Sequence, residues 1–239
     1  MRVVLHAHST WSYDGCWPLT RIARLYGALG IDAVMMTEHD TGVDPDRFAE
    51  YRAECVAAST VHCTLIPGIE YSCPDNNIHI LTWGLDGFLT EHRPVLETLS
   101  DVKDAGGVAV FAHPIRRDAW RIFDPTWIPY LSGIQVWNRK SNGITACSRA
   151  NELVRQTGLP ATVGQDFHKL RHLYPLTMTT PNPEGDLEVG LVEALRAGQM
   201  TPQAFRRPII TPKGVLQCGI HNWLERRRIG LRDLVRGRD

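Results

Sequence analysis

Two histidines stand two residues apart near the start of the chain, in Val3-Val4-Leu5-His6-Ala7-His8-Ser9-Thr10, and Asp14-Gly15 follows. An apolar run that delivers two rings this way reads as a buried strand whose pleat points both imidazoles to one face. Two imidazoles converging from one strand end suit Zn, Mn or Fe, and Asp14 adds a hard oxygen. The same residue types recur downstream. His39 ends Met36-Thr37-Glu38-His39, Glu70 ends Pro67-Gly68-Ile69-Glu70, and His79 opens Ile78-His79-Ile80-Leu81. His113 lies in Phe111-Ala112-His113-Pro114, and Asp166 and His168 close Val163-Gly164-Gln165-Asp166-Phe167-His168. His6, His8, Asp14, His39, Glu70, His79, His113, Asp166 and His168 are thus nine candidate metal ligands, and they use six of the ten histidines. Buried imidazole nitrogens need partners, and metal ions supply them.

Seven apolar, β-rich runs carry these residues: Val3 to His8, Ala33 to His39, Thr64 to Tyr71, Ile78 to Trp83, Val108 to His113, Gly133 to Trp137 and Ala161 to Asp166. Helices are predicted between them over Pro18 to Leu29, Pro45 to Ser59 with Asp44 as a cap, Arg93 to Ala105, Ala146 to Thr157 and Leu187 to Ala197. Strand and helix in alternation predict an α/β fold with a parallel sheet, and seven buried strands fit a closed or distorted barrel. In such a barrel, chemistry gathers where the strands end, and the ionisable residues fall at those ends.

The length of 239 residues suits a single domain spanning 1–239, with a partly irregular stretch and a basic helix over 199–239. Lys plus Arg and Asp plus Glu both number 26, so no charge excess points to nucleic acid or a membrane surface as the main partner. No leader or membrane-spanning pattern is visible, which predicts a cytoplasmic protein. The six cysteines form no C-x-x-C pair and read as reduced structural thiols.

The ordered motifs resemble those of the PHP (polymerase and histidinol phosphatase) family: H-x-H-S, D-G, a histidine closing the second strand, G-x-E, H-x-L, A-H-P and D-x-H. The resemblance runs from His6 to His168. It implies a distorted (β/α)7 TIM-like barrel holding two or three divalent ions, Mn, Fe or Zn, at its rim. It also implies a first metal on His6, His8, Glu70 and Asp166, with Glu70 bridging to a second on His79 and His113. A third would take Asp14, His39 and His168. Two positions depart from the family pattern. Glu38 precedes His39 where aspartate is usual, and Gln135 stands in Gly133-Ile134-Gln135-Val136 where glutamate is usual. Neither is a direct ligand in that pattern, so the departures bear on ligand orientation.

Two metals about 3.5 to 4 Å apart activate a shared water as hydroxide near neutral pH, and a third can hold a phosphoryl oxygen. Phosphate-ester hydrolysis is the expected reaction, with Glu70, Asp166 and His168 at its centre and a small phosphorylated metabolite or nucleotide as substrate. Arg116 and Arg117, just past His113, are candidates to hold the phosphate. Asn138, Arg139, Lys140 and Lys169 are further candidates, and Trp11, Trp83, Trp120, Trp127 and Trp137 could stack a ring or pack the core. Only about two dozen residues separate Asp14 from His39, which predicts an open site able to take diesters. Hydrolysis of an amide, carbamate or ester on the same metals is the competing reading. A non-catalytic accessory module is a third, and the complete ligand set weighs against it.

Overall fold

A computed structural model describes residues 1–210 together with 216, 217, 219, 220, 223, 224 and 227. Its strands are β1 (Arg2–Leu5), β2 (Ala33–Met35), β3 (Glu38–His39), β4 (Thr64–Ile66), β5 (Gly68–Ser72), β6 (His79–Trp83), β7 (Val108–Phe111), β8 (Gly133–Asn138), β9 (Ala161–Gly164), β10 (Leu176–Thr179), β11 (Thr201–Ala204) and β12 (Arg207–Pro208). Its α-helices are α1 (Leu19–Ala28), α2 (Phe48–Ala58), α3 (Val95–Asp104), α4 (Arg139–Asn142), α5 (Ser148–Thr157) and α6 (Leu187–Arg196). All seven predicted runs contain strand. Two of them are split, β2 from β3 at Met36-Thr37 and β4 from β5 at Pro67, which has no N–H for the ladder.

The strands form two six-stranded sheets, ordered β12-β11-β10-β1-β2-β4 and β3-β5-β6-β7-β8-β9. The chain is therefore mixed α/β rather than all-parallel as the alternation predicts. β1, β2 and β4 run parallel, as do β7, β8 and β9, but β6 is antiparallel to both neighbours. The link 73–78 between β5 and β6 is too short for a crossover, so a hairpin is the only connection it allows. The sheets meet where β1 and β9 end. There Gln165 N donates to Leu5 O at 3.1 Å, Phe167 N to His6 O at 3.2 Å, and His8 N to Phe167 O at 2.8 Å.

Helices cover the outer faces through ordinary apolar stripes. α1 buries Leu19, Ile22, Ala23 and Tyr26, the spacing of one helical face. Asp44 caps as predicted, accepting from Asp46 N at 2.9 Å at the turn that leads into α2. Trp83 and Trp137 are fully buried in the core, and the Trp83 indole N–H donates to Met36 O at 2.7 Å. Gly68 starts β5 where a Cβ would meet Met36 O and Thr82 O at 2.5 Å each, so the close passage of these strands requires glycine. Among the described residues no helix is long and apolar enough to cross a membrane. Most of the predicted basic C-terminal helix lies outside the described residues.

Candidate metal centre

His39, Glu70 and His79 lie within β3, β5 and β6, whereas β1, β7 and β9 stop short of His6, His113 and Asp166 and the backbone turns sharply there. β1 ends at Leu5, so His6 and His8 do not share one face of a continuous pleat as the sequence predicts. His6 has φ +67°, His113 +27° and Asp166 +52°, all in the left-handed region that residues other than glycine rarely adopt. Each break turns a side chain inward from a strand end. Such strain persists only where the surroundings enforce it, and it clusters at functional sites. Gly164 makes room beside it: a Cβ there would meet Gln135 Nε2 at 2.1 Å and His6 Cβ at 2.8 Å.

All nine predicted ligands come together, and Glu70 lies at their centre. Its Oε1 is 2.8 Å from His79 Nδ1 and 2.9 Å from His113 Nε2. Its Oε2 is 3.4 Å from His6 Nε2, 3.4 Å from His8 Nε2 and 3.3 Å from His39 Nδ1. Asp166 Oδ1 lies 3.5 Å from each of His6 Nε2 and His8 Nε2. Asp14 Oδ1 lies 3.3 Å from His39 Nε2 and 3.1 Å from His168 Nε2.

These spacings suit donors that share a cation. Ligands about 2.0–2.1 Å from a tetrahedral metal sit about 3.3–3.4 Å apart, close to the separations within the His6, His8, Glu70 and Asp166 set. Five atoms of the cluster, His6 Nε2, His8 Nε2, His39 Nε2, Asp14 Oδ1 and Asp166 Oδ1, are buried without a hydrogen-bond partner. Orphaned buried polar atoms are rare, and here they face one another. The donor set fits divalent metal ions.

The protonation states agree in part. Burial opposes ionisation of Glu70 and Asp166, but the facing imidazoles, His6 foremost, outweigh it and hold both carboxyls well below their usual range. Burial pushes His113 down to about 4, and burial with the neighbouring His39 and His168 pushes His8 down. These are the deprotonated forms a metal requires. His6 and His39 differ: burial opposes their charge, yet Asp166 and Glu70 raise the pKa of His6, and Asp14 and Glu70 raise that of His39 to about 11.

Outer hydrogen bonds aim the rings. Ser12 Oγ donates to Glu38 at 2.6 Å, accepts from His39 N at 3.0 Å and lies 3.2 Å from His8 Nδ1. Glu38 also accepts from Ser9 N at 2.9 Å, so this unusual glutamate anchors the 9–12 turn through Ser12. His79 Nε2 is 2.5 Å from Asn76 Oδ1, which leaves Nδ1 to face Glu70. Gln135 Oε1 accepts from His113 N at 3.1 Å, and its Nε2 lies 3.3 Å from His6 Nδ1. Ser12 and Asn76 carry no signal of this role in the sequence, because serine and asparagine have too many ordinary uses.

A cavity of about 180 Å³ opens over the cluster, lined by Asp14, His39, Glu70, His79, His113 and Asp166 and by Tyr13, Asn76, His92, Arg116 and Lys140. Of the two candidate arginines, Arg116 lines it and donates to Asn76 O at 2.7 Å. Arg117 does not line it and instead donates to Asn76 O at 3.2 Å. None of the tryptophans proposed for ring stacking lines the cavity. Tyr13 does, and it stacks on His39 with ring centres 5.1 Å apart. His172 supports the site from outside, accepting from His168 N at 3.3 Å. Asp40 accepts from Ser72 N at 2.8 Å and Thr41 N at 2.9 Å, fixing the end of β5.

No family model and no curated protein matches this sequence. Solved structures do match in fold. A two-domain protein from Bacteroides vulgatus, named as containing a predicted PHP-like metal-dependent phosphoesterase, is 16% identical with a TM-score of 0.61 over 85% of this chain. The chain spans 64% of that protein's length. PsfC from Pseudomonas syringae is 15% identical, with a TM-score of 0.65 over 86% of this chain and 91% of its own. An amidohydrolase from Chromobacterium violaceum, solved with bound sulfate and no metal, is 18% identical with a TM-score of 0.50 over 70% of this chain and 87% of its own. At these identities the likeness establishes architecture, and the chain has the PHP-type fold.

Proposed function

We propose that the chain is a metal-dependent hydrolase of phosphate esters, acting on a small phosphorylated metabolite or nucleotide. The observation that carries this reading is Glu70, whose two oxygens reach separate histidine groups, His79 and His113 on one side and His6, His8 and His39 on the other. That is the arrangement of a bridging carboxylate. Divalent cations held by these donors would supply Lewis acidity toward a phosphoryl oxygen and toward water. In this reading the two sheets are halves of a distorted (β/α)7 barrel with the centre at its rim.

The chain's own residues supply the rest. Arg116 and Lys140 bring two positive side chains to the cavity, which suits a phosphate and gives a neutral amide no comparable advantage. Asp166, held ionised among the imidazoles, is placed to hold a metal ion and to accept a hydrogen bond from a water in the cavity. Glu70 stays ionised and keeps the two histidine groups in register. The sulfate of the Chromobacterium violaceum amidohydrolase has the tetrahedral oxyanion shape of a phosphate. Its designation as an amidohydrolase supports the competing reading, hydrolysis of an amide, carbamate or ester.

The two readings separate on a panel of phosphate monoesters, diesters, amides and neutral esters, assayed with and without a chelator. Phosphoester turnover is expected, lost on chelation and restored by Mn²⁺ or Zn²⁺. Arg116→Ala should raise KM for the phosphate substrate by about 10-fold or more, the loss of a charge-assisted hydrogen bond. Turnover of amides or esters with none on phosphates would establish the second reading.

A further inference from the structure

Lys140 extends from the short helix α4, whose first turn is held by Asn138 Oδ1 accepting from Ser141 N at 2.9 Å. Its ammonium reaches the Asp14, His39 and His168 group, the set that would hold a third metal. Lys140 Nζ lies 3.0 Å from His168 Nε2, 3.6 Å from Asp14 Oδ2 and 3.7 Å from Asp166 Oδ1. The other ring nitrogen, His168 Nδ1, lies 2.9 Å from Asp166 O, a carbonyl that can only accept. His168 therefore carries a proton on Nδ1, and Nε2, approached by both Lys140 Nζ and Asp14 Oδ1, is the nitrogen left to bind a metal. An imidazole nitrogen has one lone pair in the ring plane. It can accept the ammonium N–H or bind a metal, but not both.

Resting on the metal-centre reading above, we infer that Lys140 takes the place of the third cation, so the chain holds two divalent metals and a lysine ammonium. Charge reinforces the exclusion, since a divalent ion on His168 would lie within about 4 Å of the ammonium, where like charges repel strongly in a partly buried site. The ammonium also forms an ion pair at 3.6 Å with Asp14, the one carboxylate of that set. As a compact point charge on a flexible stem, it faces the cavity beside Arg116 and serves a phosphoryl oxygen as that metal would.

The test is metal stoichiometry after saturation with Mn²⁺ or Zn²⁺ and dialysis, measured by elemental analysis on wild type, Lys140→Met, Lys140→Gln and the double variant Lys140→Met with Asp14→Asn. Lys140 is partly exposed, and the two replacements differ in polarity, so a folding defect in one leaves the other. Expected are two ions per chain in wild type, three in both single variants, and two again when Asp14 is also replaced. Three ions in wild type, or two in both single variants, would overturn the assignment while leaving the dinuclear centre intact. Fewer than two in every protein would instead overturn the metal-centre reading, and this inference with it.

Discussion

Gln135 Nε2 stands 3.3 Å from His6 Nδ1, and the amide cannot be turned around, because its Oε1 already accepts from the main-chain N–H of His113 at 3.1 Å. His6 Nδ1 is therefore an acceptor, which leaves the ring proton on Nε2, facing Glu70 and Asp166. A metal at His6 must displace that proton.

Gln135→Glu should accordingly tighten metal binding. A carboxylate at this place accepts from Nδ1–H and frees Nε2, while still accepting from His113 N and Asn138 Nδ2. Outer partners of this kind change affinity by about 10–100-fold, so a gain in that range is expected in a chelator-competition titration. Unchanged or weaker binding would show that Gln135 does not set the ring proton.

Asn76 acts on the other histidine group. Its Oδ1 is 2.5 Å from His79 Nε2 and holds Nδ1 toward Glu70. Asn76→Ala should weaken metal binding by about 10–100-fold, and Asn76→Asp, which keeps the acceptor, should retain most of it. Equal loss in both variants would assign Asn76 a purely structural part in the 73–78 turn.

The legibility of these residues in the sequence depends on how local their signals are. The nine ligands were legible because each is a rare residue type at the end of an apolar run, and their order along the chain repeats a known set. Glu38 and Gln135 were legible only as departures from it. Ser12 and Asn76 were not, since their roles depend on His8, Glu38, His79 and Arg116, brought close only by folding. The left-handed backbone at His6, His113 and Asp166 had no signal either, because tertiary contacts enforce it. β10, β11 and β12 were missed for a similar reason: they are short, and antiparallel pairing back onto β1 defines them. The split of β4 from β5 was written in Pro67.

The pH dependence follows from His39. Its pKa in the metal-free fold is raised from 6.5 to about 11 by Asp14 and Glu70 against the opposing effect of burial. A raised base stabilises the fold fully below its ordinary pKa and loses that contribution as pH climbs toward the raised value. The chelated protein should therefore melt at progressively lower temperature between pH 7 and pH 10, and His39→Asn should flatten that slope. In Lys140→Met, where a third ion is expected at His39, that ion must displace the proton, so its affinity should rise by about tenfold per pH unit over the same range. A melting temperature that rises with pH in wild type would contradict the assignment.

The central claim is that Glu70 joins two groups of histidines into one metal centre. Metal content of wild type and Glu70→Ala, measured together with phosphoester hydrolysis, tests it most directly. Two divalent ions per wild-type chain are predicted, with a loss of at least one ion and of nearly all hydrolysis in the variant. A wild-type protein that holds no metal, or a variant that keeps both its ions and its activity, would contradict the claim.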